Sequence, residues 1–110
     1  MKLANSEERF RLAIDEAPIG MALVALDKRF IRVNRALCDM VGYTPDELTK
    51  TTYPTITHPD DVRTDRELLG QLTRGEIPRY RLQKRYIRKD GTIVNIMLNR
   101  SVLLCSLPFP

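Results

Sequence analysis

A chain of 110 residues that is 43% hydrophobic and 29% charged has material for one buried core and not for two. It contains neither an apolar run of membrane-spanning length nor a targeting peptide, so the expectation is a soluble module with no direct membrane insertion. The net charge of +4 is local, because residues 1–78 hold 11 basic and 13 acidic side chains while residues 79–110 hold 7 basic and 1 acidic.

In chain order, Asn5 or Ser6 is placed to cap a helix in which Phe10, Ala13, Ile14 and Ala17 recur at helical spacing, with Pro18 closing it. Gly20 then opens a strand from Met21 to Leu26, and an Asp27-Lys28 turn leads into a second, Phe30 to Val33, to make a hairpin. The next stretch, VNRALCDMVGYTPDEL from Val33 to Leu48, is dense in helix punctuation. Asn34 caps a short helix that Gly42 ends in the left-handed conformation, and Thr44 caps the next, with Pro45 in its first turn and Glu47 completing a capping box.

Pro54, Pro59 and the polar residues between them predict an irregular link. A longer helix follows from Asp60 to Leu72, with Val62, Leu68, Leu69 and Leu72 on one side and Arg74-Gly75 at its end. Tyr80 to Lys89 reads as a strand, and its KRYIRKDG segment runs into a tight Asp90-Gly91 turn in which Gly91 needs a positive φ. The final strand, Thr92 to Leu104, alternates with period two so that Val94, Ile96, Leu98 and Val102 share a face. Leu23, Phe30, Leu37, Val41, Leu48, Leu69, Ile96 and Leu98 are the expected core.

Candidate chemistry is sparse. There is no GxSxG elbow, phosphate-cradling glycine loop, His-rich metal spacing or Cys/His pair, so the domain itself reads as non-catalytic and without a metal site. Asp60, Asp61 and Asp65 read as acids favoured near a helix N-terminus. Cys38 and Cys105 lack CxxC spacing and fit free thiols in a reducing compartment, and Met21, Met40 and Met97 read as core fillers. Arg79, Arg81, Lys84, Arg85, Arg88, Lys89 and Arg100 fall on the last hairpin. Only Tyr80 and Tyr86 interleave with them, so the basic run is expected to be a solvated, guarded sheet face, not a nucleic-acid site.

The two signatures, VNRALCDMVGYTPDEL and KRYIRKDG, with His58-Pro59-Asp60-Asp61 between them, resemble a PAS domain of the bacterial sensory-box type over about Phe10 to Leu104. The resemblance implies an α/β (α+β) fold: an antiparallel five-stranded sheet with short helices packed on one face. It divides the chain into a flanking helix, residues 1–17, and the PAS domain, residues 18–110. After Leu104 the chain reads CSLPFP, and prolines cannot donate ladder hydrogen bonds, so the expectation is that the last strand of the family sheet is missing.

The resemblance further implies a cytoplasmic sensory module that relays a small-ligand signal to an effector fused in the same polypeptide, such as a histidine kinase or a cyclic-dinucleotide enzyme. The alternative is a ligand-free dimerisation or interaction module. A ligand would be small and largely apolar and would touch Met40, Tyr53, Tyr86 and Ile96. The cofactor is not identified, but flavin and haem are both argued against. Residues 56–62 hold no cysteine for photochemistry, and Tyr86 and Ile96 stand where flavin-binding relatives carry amides. His58, the single histidine, falls on the turn that begins the long helix, where its role is to cap. Gln83 stands where many relatives have Glu, which places any charge-based switch in doubt. A homodimer is expected, through an apolar strip of Leu3, Phe10 and Ile14 and through the sheet surface left open by the missing strand.

Overall fold

The computed structural model describes the backbone of residues 3–102 and 104–109, and the side chains of 8–9, 11–102 and 104–107. Helix α1 (Leu3–Glu16) leads into the hairpin β1 (Gly20–Val24) and β2 (Phe30–Val33). Four helices follow, α2 (Arg35–Val41), α3 (Pro45–Leu48), α4 (Tyr53–Ile56) and α5 (Pro59–Thr73), and then β3 (Tyr80–Ile87), β4 (Ile93–Arg100) and β5 (Leu104–Phe109). The strands form one antiparallel sheet in the order β2-β1-β5-β4-β3.

The helix punctuation acts as its chemistry requires. Asn34 accepts from the Leu37 amide, and Gly42 ends α2 at φ 81°. Thr44 and Glu47 form a reciprocal capping box around α3. The His58 side chain accepts from the Asp60 amide at the start of α5, with Pro59 in the first turn, so the cap expected of this histidine is present. Gly91 sits at φ 88°, and Asp90 Oδ1 accepts from both the amide and the hydroxyl of Thr92 at 2.9 and 2.6 Å to close the turn.

The missing strand is present: β5 is the centre of the sheet, pairing with β1 from Gly20↔Leu107 to Leu23↔Leu104 and with β4 on its other side. Pro108 is tolerated for two reasons of register. It lies beyond Leu107, the partner of the first residue of β1, and it falls where the β4 register shifts between Met97 and Asn99. A strand can accommodate proline at such an irregularity because no ladder donor is demanded there. The strand expected to run unbroken to Leu104 instead stops at Arg100, and Val102 is exposed.

Other boundaries also move. Asn5 and Ser6 lie inside α1, which begins at Leu3. The link between Pro54 and Pro59 contains α4, a single turn. Leu23 is half-buried and outside the core, because the pleat of β1 turns Gly20, Ala22 and Val24 inward and Leu23 to the opposite face. The other seven residues of the expected core are buried. Leu3 and Phe10, two of the three residues of the expected apolar strip, have side chains outside those described. Ile14, the third, is 2% exposed and packs within this chain.

Asn34 does more than cap. Its Oδ1 also accepts from the Met21 amide at 2.9 Å, while Nδ2 donates to the carbonyls of Ile14 and Ile19 at 2.8 Å each. All four hydrogen-bonding positions of one buried amide are thereby used, tying the end of α1 to β1 and α2. The main core fills the space between the sheet's inner face and the helices, with Leu37, Val41, Leu48, Ile56, Leu69 and Leu72 meeting Ala22, Val24, Phe30, Tyr86, Ile96, Leu98 and Leu107.

Candidate functional site

Period two along β3 points Tyr80, Leu82, Lys84 and Tyr86 to one side, and along β4 it points Val94, Ile96, Leu98 and Arg100 to the same side. That side is the core. Lys84 is 3% exposed and Arg100 2%, so the reading of the basic run as a solvated face fails for these two residues. It holds for Arg79, Arg81 and Lys89, which are exposed. On α5, Asp65, Leu69 and Leu72 stand at i, i+4 and i+7, so the helix that buries its leucines also buries its acid. Asp65 is therefore not a helix-terminus acid, and the expectation grouping it with Asp60 and Asp61 is corrected.

Lys84 Nζ lies 2.6 Å from Asp65 Oδ2, and the two side chains are 1% and 3% exposed. Burying both charges is unfavourable unless the remaining hydrogen-bonding capacity is used, and it largely is. Tyr80 donates its hydroxyl to Asp65 Oδ1 at 2.7 Å, and Lys84 also donates to Thr57 Oγ1 at 3.3 Å. Thr57 in turn donates to the Tyr53 carbonyl at 2.7 Å. The ammonium sits 5.0 Å from the ring centroid of Tyr53 and 4.9 Å from that of Tyr86, close enough for cation–π attraction from both.

Arg100 has no such set of partners. Its guanidinium carbon is 5.0 Å from the Tyr53 ring centroid. Among the described residues its Nε and Nη2 are buried without a hydrogen-bond partner, as is the Tyr53 hydroxyl. Asp65 is the one buried carboxylate described, against the two buried cations Lys84 and Arg100, so the cluster carries an excess positive charge. Burial pushes the Tyr53 phenol up to about 12 and the Cys105 thiol up to about 11, with Arg100 opposing the shift in both. Tyr80 and Tyr86 are raised as well, by burial first and by Asp65 in addition.

Two clefts reach this cluster. One of about 240 Å³ is lined by Tyr53, Pro54, Thr57, Val62, Asp65 and neighbouring basic residues. The other, of about 490 Å³ and more open, is bordered by Tyr80, Arg100, Ser101 and Leu104.

Of the expected ligand-contacting residues, Tyr53, Tyr86 and Ile96 are buried, and Met40 is half-buried against the same core. Tyr53 and Tyr86 flank Lys84, and Tyr53 borders the smaller cleft; Met40 borders neither cleft. The reading from sequence missed Asp65, Lys84, Arg100, Thr57 and Tyr80. Their signal was the periodicity itself, because Lys84 and Arg100 continue the same alternation that marks Tyr86 and Leu98. Gln83, the residue singled out for a lost acid, is exposed and outside the cluster.

Residues 30–101 match the family model described as the PAS fold. This chain belongs to the PAS family. Over 92% of its length it is 36% identical to a probable diguanylate cyclase, DgcE, of Escherichia coli, and over 94% it is 26% identical to the sensor histidine kinase TmoS of Ectopseudomonas mendocina. It spans about a tenth of the length of these relatives, 9% and 10%. Its fold matches a domain of a sensory box sensor histidine kinase/response regulator from Geobacter sulfurreducens with a TM-score of 0.84, at 17% identity, covering 98% of this chain and 97% of that one. The PAS sheet and its helices thus form the container, and the Asp65–Lys84–Arg100 cluster lies inside it. Among the described residues no helix is long and apolar enough to cross a membrane.

Proposed function

We propose that this PAS domain is the input module of a bacterial signalling protein, sensing a small molecule between its sheet and helices and relaying occupancy to an effector fused in the same polypeptide. The observation that carries the reading is the buried cluster itself. A core built only for stability gains nothing from an incompletely paired Arg100, and apolar residues of similar volume in place of buried charges are often neutral or stabilising. The kinds of relative it resembles, a probable diguanylate cyclase and a sensor histidine kinase, support an effector of one of those two classes and a cytoplasmic setting. The PAS boundary at residue 18 belongs to the same reading, with α1 as the connecting element that Asn34 ties to β1 and α2.

The second reading is a ligand-free PAS module that dimerises. The filled core around Tyr86 and Ile96, 1% and 2% exposed, favours it. Dimerisation through α1 would use a face other than that of Ile14, and Leu12, 49% exposed, is available there.

The test is effector output of the full-length parent carrying Lys84→Met. Sensing through the cluster is supported by output that no longer varies with growth conditions while the protein stays folded. Output that varies as in wild type contradicts it.

A further inference from the structure

The unpartnered atoms of Arg100 are a matched set. Nε and Nη2 form one edge of the guanidinium, two parallel N–H donors spaced to grip a carboxylate. This protein shows that grip elsewhere. Arg85 holds Asp61 through the same two nitrogens, Nε to Oδ2 at 3.0 Å and Nη2 to Oδ1 at 2.9 Å. At Arg100 the edge is buried and has no acceptor among the described residues, and the unpartnered Tyr53 hydroxyl belongs to the ring over which the guanidinium sits.

Resting on the sensory reading, we propose that the molecule sensed is a short-chain monocarboxylate, held by its carboxylate on the Nε/Nη2 edge of Arg100 with a hydrogen bond from the Tyr53 hydroxyl. Charge selects a monoanion. Lys84 and Arg100 bring two positive charges and Asp65 one negative, so one carboxylate neutralises the cluster, whereas a dianion would leave an excess negative charge facing Asp65. Burial selects a short chain: the two edge nitrogens and the Tyr53 hydroxyl are enclosed, with Arg100 bordering the larger cleft and Tyr53 the smaller. Chemistry selects a carboxylate over a spherical anion, because only a planar pair of acceptors satisfies both edge donors together.

The probes are acetate, propanoate and butanoate, with propanamide as the neutral match for propanoate, titrated into the ¹⁵N-labelled chain. The expected result is a saturable shift of the Arg100 Nε–H signal with at least one acid and none with the amide. Arg100→Lys, which keeps the charge and loses the edge, is expected to weaken binding about tenfold, as loss of a bidentate charged contact does. Arg100→Met is expected to abolish it while raising the melting temperature of the unliganded protein, so loss of binding is not loss of folding.

Equal response to acid and amide, or full binding by Arg100→Met, overturns the carboxylate assignment and leaves the sensory reading with a neutral ligand. No saturable shift with any of the three acids overturns it too; the sensory reading is then decided separately by the output of the Lys84→Met parent.

Discussion

Lys84 and Asp65 form the one ion pair among the described residues in which both side chains are buried, joined at 2.6 Å between the third strand and the longest helix. Such a pair has asymmetric energetics. Removing one partner strands the other charge in the core, whereas removing both removes the desolvation penalty with them. Asp65→Ala is expected to destabilise the domain by about 3–5 kcal/mol. The double variant Asp65→Leu, Lys84→Met is expected to lose much less, with the Tyr80 hydroxyl as its remaining unpaired group. Urea unfolding of wild type and the two variants measures the difference, and a double variant as unstable as Asp65→Ala would count against the pairing.

Asn34 offers a sharper test of how α1 is held. Asn34→Asp keeps the acceptor for the Met21 and Leu37 amides but loses the two donors to Ile14 and Ile19, setting a carboxylate against two carbonyls. Each buried group left unsatisfied costs about 1–3 kcal/mol. The loss should register first as faster amide exchange at the end of α1, while the Leu37 amide stays protected.

Asp61 sets an acid limit. Hydrogen bonding from the Arg85 guanidinium holds its carboxyl below the usual carboxylate range, against the opposing effect of burial. A group whose folded pKa is depressed contributes stability that is present above its unfolded pKa, about 3.9, and that is lost as pH falls through the lower folded value. Asp61→Asn is therefore expected to cost about 1–2 kcal/mol at pH 7, with the gap to wild type closing below about pH 4. A gap that is flat from pH 7 to pH 2 would exclude the ion pair as its source.

The alkaline side runs the other way. Burial raises Cys105 to about 11 and Tyr53 to about 12. The unfolded chain therefore releases these protons first, and stability falls as pH rises from near 9 through those folded values. Both cysteines are free and buried, so at pH 8 neither thiol should react with Ellman's reagent at more than a small fraction of the rate seen in urea. Rapid native labelling at Cys105 would contradict its place in the core.

Gly91 isolates the cost of backbone conformation. A Cβ there meets nothing within 4 Å, yet φ is +88°, so Gly91→Ala should cost about 1–2 kcal/mol from conformation alone. Gly91→Asn should cost less, since asparagine tolerates the left-handed region better.

How much of this was legible in the sequence differed by element. Turns and caps were, because Asn34, Gly42, Thr44, Glu47 and Gly91 act over three or four residues and their chemistry is local. The strand β5 was not. Its Pro108 argues against a central strand by local rules, and only the bulge opposite Met97 and Asn99 and the short reach of β1 make room for it. The charged cluster lay in between. Alternation placed Lys84 and Arg100 inward, but residue type argued for solvent, and only the inward face of Asp65 on a helix nearly twenty residues earlier resolves the conflict.

A ligand seated at Arg100 travels with the protein. Native mass spectrometry of the wild-type domain and of Arg100→Met, each recovered gently from its own cells, measures this. The expected result is a noncovalent adduct with the mass of a small carboxylic acid on the wild type and none on the variant. The bare polypeptide mass for both proteins would contradict a ligand seat at Arg100 and favour the ligand-free module.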